Sequence, residues 1–227
     1  SWPVDQTDSL QRLDSCIKEL VSDRIGVFTI PGTSSSIDIL LDEKTEVNDL
    51  RPYIDTIRRV KSASEIQYMQ EAASIASSAH EKAMRNSRPG MGEWEIQAMV
   101  EGHFMSSQSQ WSFPSIVGGG DNATVLHYKD NNQVIGSGDL VLVDAGCEVS
   151  GYASDITRTW PVNGKFSQPQ REIYELVLRA ELAGIQACQP GMPWVSMHEA
   201  VCETIAEGLI ELGILNCTLE DALGRVE

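Results

Sequence analysis

The sequence has 227 residues, of which 41% are hydrophobic, and its formal net charge is −16. A chain of this length can bury one sizeable core, and its scattered acidic residues argue against nucleic acid or an anionic membrane as the main partner. No apolar run approaches the roughly 18 to 20 residues that a membrane-spanning helix needs, so no membrane partner is expected.

The cysteines are odd in number and none lies in a CxxC pair, which is typical of a reducing compartment rather than of a disulfide framework or a structural zinc site. They are Cys16, Cys147, Cys188, Cys202 and Cys217.

Residues 1–57 are predicted to be the C-terminal remnant of an N-terminal α/β domain, because they are too few to form a domain alone. Apolar residues recur at helical spacing over residues 10–21. Residues 24–30 and 37–41 are each predicted to form a strand, and Pro31-Gly32 ends the first of them.

Two helices are predicted at the start of the second domain, which we expect to span residues 58–227. Ser62 and Glu65 have the spacing of a capping box, in which each side chain satisfies a free amide group of the first turn. The helix that they open should end near residues 88–90, and a second should cover residues 94–105.

The central part of the chain has strand character. Residues 125–128 are predicted to form a short strand, residues 140–143 a fully apolar strand that ends in Asp144, and residues 152–161 its return partner. The pattern then becomes helical again. A capping box at residues 167–170 opens a long helix that ends near Pro190-Gly191, and a last helix begins near Val195.

Two aspartates are the most informative residues of the predicted hairpin. If its turn is centred on Val149-Ser150, Asp144 and Asp155 face each other directly, with Cβ atoms about 4.5 to 5.5 Å apart. Two like charges in that position are destabilising, and a shared hard divalent cation is the simplest remedy. Thr157 lies on the same face and is expected to support Asp155 by a hydrogen bond.

The residue pattern alone leaves an alternative open. One aspartate would cap a turn, and the other would pair with Arg158 or with a lysine. Separations of this kind between two aspartates are common, and two ligands do not by themselves make a metal site.

Longer motifs resemble the aminopeptidase P family of metallopeptidases, and most closely its mitochondrial-type Xaa-Pro aminopeptidases. The resemblance covers residues 58–214. It is carried by Val143-Asp-Ala-Gly-Cys-Glu148, Gly151-Tyr-Ala-Ser-Asp-Ile-Thr-Arg-Thr-Trp-Pro-Val-Asn-Gly-Lys-Phe166, Gln170-Arg-Glu-Ile-Tyr174, Val60-Lys-Ser-Ala-Ser-Glu-Ile66, and Gly118-Gly-Gly120 followed by Leu126-His-Tyr128.

This resemblance implies an α+β "pita-bread" fold, an antiparallel sheet flanked by helices, of which only the N-terminal half is present. The family's complete catalytic domain holds two metal ions, usually Mn²⁺. Asp144 and Asp155 match its first two metal ligands, and the second of them bridges both metals. His127 matches the active-site histidine that touches the substrate and handles protons.

The family's other three ligands, one histidine and two glutamates, come from later motifs, which we expect beyond position 227. The chain then carries two of five ligands and should be inactive alone. The reaction that the resemblance implies is metal-assisted hydrolysis, with one of the missing glutamates as general base.

The expected function is that of an Xaa-Pro aminopeptidase acting on peptides with proline in second position. A homodimer is a further expectation, and the resemblance to mitochondrial-type members favours a mitochondrial location, the cytoplasm being the alternative. Two rivals stay open. One is a prolidase-type Xaa-Pro dipeptidase, and the other is a non-catalytic binding module on the same fold.

Overall fold

The computed structural model describes residues 7–22, 26–41 and 46–224. Its helices are α1 (Leu13–Val21), α2 (Ser35–Leu40), α3 (Arg51–Arg59), α4 (Ala63–Asn86), α5 (Glu93–Ser106), α6 (Gln168–Ala187), α7 (Val195–Glu211) and α8 (Leu219–Ala222). Its strands are β1 (Gly26–Thr29), β2 (Glu46–Asp49), β3 (Gln110–Trp111), β4 (Ile116–Gly119), β5 (Leu140–Ala145), β6 (Cys147–Val149), β7 (Tyr152–Ala153) and β8 (Ile156–Pro161).

The chain divides into two compact units between Gln67 and Tyr68. The domain limits predicted from the sequence, 1–57 and 58–227, stay a prediction. Among the described residues, no helix combines the length and the apolar character that crossing a bilayer requires.

The first unit contains a parallel strand pair, β1 and β2, with α2 between them in the chain. The strand predicted at residues 24–30 is present as β1, although residues 24–25 lie outside the described residues. The strand predicted at residues 37–41 is wrong, because α2 occupies Ser35–Leu40. Parallel neighbours need a crossover, and a short apolar run does not by itself distinguish a helix from a strand.

The core of the second unit lies between a sheet and two helices. Within the described residues this sheet has the strand order β4-β5-β8, and both of its pairings are antiparallel. One face of β5 is fully buried, and the residues of α4 that join it in the core are alanines, whose small side chains permit close packing. The core residues of these three elements and of α5 are Val141, Val143, Ala145, Ala72, Ala76, Ala79, Ala83, Ile96, Val100 and Phe104.

The helix starts predicted from residue 62 onward are confirmed. Glu65 accepts a hydrogen bond from the Ser62 amide at 2.6 Å, and Gln170 accepts one from the Ser167 amide at 2.9 Å. Both contacts belong to the capping boxes expected from the sequence. The short strand predicted at residues 125–128 is wrong, because these residues form a bend and a turn after a 3-10 helix.

A tight hairpin joins β6 to β7, and β5 and β8 continue it. Val149 pairs with Tyr152, so the turn residues are Ser150 and Gly151. Both have positive φ, 51° and 85°, as a two-residue turn that matches the natural twist of the strands requires. Glycine adopts this conformation without strain. The turn is therefore centred one residue later than predicted.

Candidate active site

Asp144 and Asp155 lie in one cavity of about 270 Å³. Asp144 lies on the half-buried face of β5, opposite the face that enters the core, and Asp155 lies just before β8. His127 and Lys129 reach the same cavity from the loop after β4. The remaining lining residues are Phe113, Pro114 and Ile116.

The direct opposition of the two aspartates that the sequence predicted is wrong in register. Asp144 pairs with Thr157, and Asp155 is the diagonal neighbour of Asp144. Because the turn lies one residue later, the partner of Asp144 moves by two residues, and a shift of two keeps every side chain on its original face. Both carboxylates therefore still face the same cavity.

The environment of Asp144 disfavours its ionised form when no cation is bound. Burial raises the pKa of this carboxyl above its usual value of 3.8, and the neighbouring charge of Asp155 raises it further. A hydrogen bond from Thr157 and the proximity of His80 act in the opposite direction without cancelling the effect. Thr157 thus supports Asp144, whereas the sequence pattern had assigned its hydrogen bond to Asp155.

One oxygen of Asp144 has no protein partner. Oδ1 is buried, and no hydrogen bond to it is formed by a described residue. A buried acceptor without a partner is costly, and an anionic one more so. A cation bound between the two carboxylates would satisfy this oxygen and offset the repulsion between them.

The alternative partner of the aspartates, Arg158, is engaged elsewhere. Its guanidinium donates to the Thr157 carbonyl at 2.7 Å. The ion pairs of the described residues include none that joins Asp144 or Asp155 to Arg158 or to a lysine. The structure therefore leaves the carboxylate pair without the compensating positive side chain that this alternative required.

The donor set fits part of a site for a hard divalent cation. Carboxylate oxygens are ligands that Mg²⁺, Ca²⁺ and Mn²⁺ prefer. Within the described part of the chain, no group of three or more histidine, cysteine, aspartate or glutamate side chains is arranged to hold a metal. Asp144 and Asp155 are the two carboxylates that line the cavity, and the number of ligands in a complete site stays a prediction.

His127 occupies an exposed turn at the edge of the cavity. Its φ of 54° lies in the left-handed region that non-glycine residues seldom adopt. Backbone strain of this kind persists only where surrounding contacts hold it in place. The loop is therefore specifically fixed at the residue that the resemblance assigns to the active site.

His80 lies beneath the sheet and not in the cavity. It is 2% exposed, and its Nδ1 donates to the Ala76 carbonyl at 2.9 Å. It is thus a packed histidine of α4, and it acts on the site only through its electrostatic effect on Asp144.

The motifs did not identify four of the cavity residues. Lys129 follows His127 by two positions, and a period of two in an extended segment would have placed both on one side. Ile116 lies directly opposite Asp144 on β4, a pairing that needs the long-range register. Phe113 and Pro114 carry no local signal, since they enter the cavity from a loop.

Comparison with known proteins identifies a matching family and several similar proteins. Residues 67–220 match the model of metallopeptidase family M24. An Xaa-Pro aminopeptidase of Haemophilus influenzae is 40% identical over 217 residues, which are 93% of this chain and 50% of that protein. The mitochondrial intermediate cleaving peptidase 55 of Arabidopsis thaliana is 36% identical over 221 residues, 94% of this chain and 45% of that protein.

Solved structures of similar proteins share the architecture. The aminopeptidase PepP of Pseudomonas aeruginosa superposes with a TM-score of 0.93 at 34% identity, covering 99% of this chain and 54% of that one. A zinc-substituted Escherichia coli aminopeptidase P in complex with product superposes with a TM-score of 0.91 at 33% identity, covering 98% and 54%. The chain spans about half the length of these relatives.

The expected pita-bread fold, of mixed helices and antiparallel sheets, is confirmed by these superpositions, and the chain covers about half of it. The family match extends over most of the chain and includes the hairpin that carries Asp144 and Asp155. The chain belongs to metallopeptidase family M24 and resembles its aminopeptidase P members.

Proposed function

We propose that the chain forms the N-terminal half of an Xaa-Pro aminopeptidase catalytic domain. The observation that carries the proposal is the meeting of Asp144, Asp155 and His127 in one cavity. Similarity to an Xaa-Pro aminopeptidase over 93% of the chain supports the same activity.

Asp144 and Asp155 are the residues that would hold the metal. When bound, a divalent cation polarises the scissile carbonyl and activates water as a nucleophile. The half-buried position of Asp144 keeps its charge poorly hydrated, so that its interaction with a cation is stronger than at an open surface. We infer Mn²⁺ as the natural ion, because the family that the sequence resembles usually uses it and carboxylate oxygens suit it; a relative, Escherichia coli aminopeptidase P, has been solved in a zinc-substituted form.

His127 is the proposed proton-handling residue. It lies at the exposed edge of the cavity, where an imidazole N–H can donate to a substrate carbonyl oxygen. Phe113 and Ile116 give the cavity an apolar wall beside Asp144, which excludes water from that side of a bound peptide.

The remaining three ligands, one histidine and two glutamates, are proposed to come from outside this chain. This follows from the two-carboxylate ligand set of the described residues and from the length of the relatives, of which the chain spans about half. The chain alone is then expected to cleave no peptide, and measurable cleavage by residues 1–227 would contradict this part of the proposal.

The test of the function uses the natural polypeptide that carries this sequence, at its full length and supplied with Mn²⁺. It should release the first residue of an Xaa-Pro-Xaa tripeptide and leave a matched Xaa-Ala-Xaa tripeptide intact. The His127→Ala variant should lose about 100-fold or more in rate, the usual range for a general acid–base residue. Equal cleavage of both tripeptides would overturn the proposed specificity.

The same assay separates the two rivals. A prolidase-type enzyme would cleave an Xaa-Pro dipeptide and leave the tripeptide intact, whereas the proposed aminopeptidase cleaves the tripeptide. A non-catalytic binding module would cleave neither and would bind no metal. The retention of both aspartates and of His127 in one cavity favours the enzyme.

A mitochondrial location is also proposed, supported by the mitochondrial relative of Arabidopsis thaliana. Fluorescence imaging of the tagged natural polypeptide tests it, and a uniform cytoplasmic signal would contradict it. The homodimer likewise stays a proposal. Sedimentation in the analytical ultracentrifuge tests it by measuring the mass of the protein in solution.

A further inference from the structure

Glu93, the first residue of α5, is a fully buried carboxylate without a positively charged partner among the described residues. It accepts four hydrogen bonds. Oε1 accepts from the Gly119 amide at 2.8 Å and from the Asn122 side chain at 3.0 Å. Oε2 accepts from the Tyr128 hydroxyl at 2.8 Å and from the Gln133 amide at 3.0 Å.

All four donors belong to the segment 119–133, which contains His127. A buried charge is tolerated only when hydrogen bonds replace its hydration, and this set does so. Burial raises the pKa of Glu93, but the four hydrogen bonds outweigh it and leave the pKa below its usual value of 4.5. The group is therefore ionised at neutral pH and holds its donors strongly.

A second anchor holds the same segment from the other side. Asn131 is 4% exposed, and its side chain accepts from the Val117 amide at 2.9 Å and donates to the Ser115 carbonyl at 2.8 Å. Like His127, Asn131 has a positive φ, 45°. The ends of the segment are thus fixed, and the left-handed conformation of His127 lies between fixed points.

Tyr128 connects Glu93 to the cavity. His127 and Lys129 both line the cavity, while the residue between them directs its hydroxyl to Glu93. Neighbouring side chains in this segment therefore point in opposite directions. Holding Tyr128 on the buried side keeps His127 and Lys129 on the cavity side.

We propose that Glu93 is a positioning residue, which acts through Tyr128 to hold His127 at the cavity formed with Asp144 and Asp155. The catalytic consequence rests on the proposed function, whereas the ordering of the segment does not. Glu93 touches none of the proposed reacting groups. Its contribution is to keep the His127 turn in one conformation before substrate binds, which reduces the entropy lost on reaching a reactive geometry.

The test compares variants of this chain in the absence of metal by NMR relaxation of the backbone amides of residues 124–130. In the unchanged chain we expect order parameters of about 0.85, and in Tyr128→Phe and Glu93→Gln values below about 0.6, the ranges of rigid and flexible backbone. Tyr128→Phe removes one hydroxyl group only, so it keeps the test valid if Glu93→Gln fails to fold.

A matched control is Glu95→Ala. Glu95 caps the same helix by accepting from the Gly92 amide at 2.7 Å, a contact that lies outside the segment 119–133. This variant should weaken the start of α5 and leave residues 124–130 ordered. Equal loosening by all three variants, or unchanged order in Tyr128→Phe, would overturn the proposal.

The catalytic consequence is measured in the natural full-length polypeptide. Tyr128→Phe should lower kcat/KM by about tenfold, since small misplacements of a reacting group cost up to about 100-fold in rate. In a His127→Ala background it should have no further effect, because the two changes act through one residue. An equal loss in both backgrounds would contradict positioning through His127. Failure of the proposed function is recognised separately, since it removes the activity of the unchanged protein and leaves the metal-free NMR result intact.

Discussion

Asp155 is the diagonal neighbour of Asp144 across the hairpin, and Thr157 occupies the position directly opposite. This offset lets both carboxylates face one cavity without their being directly paired on the strands. Diagonal neighbours have Cα atoms about 7 to 8 Å apart, within reach of side chains that converge on a shared ion. The arrangement is therefore more favourable when a cation lies between the two carboxylates than when the cavity holds none.

Replacing Asp144 by asparagine should stabilise the metal-free chain. The raised pKa of Asp144 means that its ionised form is penalised in the folded state, so it contributes stability below its unfolded pKa and loses it as the pH rises through the folded one. At pH 7 removal of the charge should raise the free energy of unfolding by about 0.2 to 1 kcal/mol, and the melting temperature by up to about 4 °C.

Thermal unfolding measured by circular dichroism checks this prediction. The control is Asp130→Asn, since Asp130 is exposed and is not one of the cavity residues. A lower melting temperature for Asp144→Asn than for the control would show that the carboxylate is satisfied by the protein itself.

The contribution of Glu93 to stability should depend on pH with the opposite sign. Its pKa is lowered in the folded chain, so its stabilisation is complete above its ordinary pKa near 4.5 and is lost as the pH falls towards the lower folded value. Glu93→Gln should cost about 1 to 3 kcal/mol at pH 7, because it leaves a buried donor unpaired. Urea unfolding of both chains between pH 7 and 3 should show this difference shrinking below pH 4.5, whereas a constant difference would contradict the prediction.

Gly146 should tolerate no side chain. A Cβ atom placed there would lie 1.8 Å from the Ser154 carbonyl oxygen, so Gly146→Ala must push apart the strands that carry Asp144 and Asp155. We expect a loss of stability of about 1 to 3 kcal/mol together with weaker Mn²⁺ binding.

Gly151→Ala is the matched control for this prediction. Gly151 has open space around its Cα but a φ of 85°, so alanine is strained without meeting another atom. It should lose about 1 to 2 kcal/mol of stability through the left-handed backbone and leave metal affinity unchanged. Calorimetric titration with Mn²⁺ distinguishes the two variants, and equal metal affinity in both would refute the prediction for Gly146.

Lys129 should compete with the cation for the carboxylates. It lines the same cavity as Asp144 and Asp155, so its positive charge reduces their attraction for a metal ion. Lys129→Met should tighten Mn²⁺ binding by about twofold to tenfold, because the interaction of a lysine charge with a nearby cation in water is on the order of 1 kcal/mol or less. Lys165→Met, at an exposed residue that does not line the cavity, should change the affinity little. Titration calorimetry at low salt measures both, and an unchanged affinity for Lys129→Met would contradict the prediction.

Much of the site could be predicted because it depends on local rules. Strand periodicity put Asp144 and Asp155 on one face, and capping boxes located α4 and α6. The position of the turn was missed by one residue, because the preference of Gly151 for positive φ decided between two centres that the strand pattern allowed.

Non-local contacts explain what the sequence did not reveal. Residues 125–128 are apolar enough for a strand, but hydrogen bonds to Glu93 and Asn131 hold their segment in a turn. Glu93 has no local motif, because its partners lie 26 to 40 positions away along the chain. Such a residue is identified only once the fold brings its donors together.

The most direct test of the central claim is the metal content of the natural full-length polypeptide after dialysis against Mn²⁺, measured by atomic emission with its Asp144→Asn and Asp155→Asn variants. The unchanged protein should hold about two ions per chain, as two-metal hydrolases do. Each variant should hold fewer ions than the unchanged protein, because each loses one of the carboxylates proposed to hold them. Equal metal content in all three proteins would contradict the assignment of these aspartates as metal ligands.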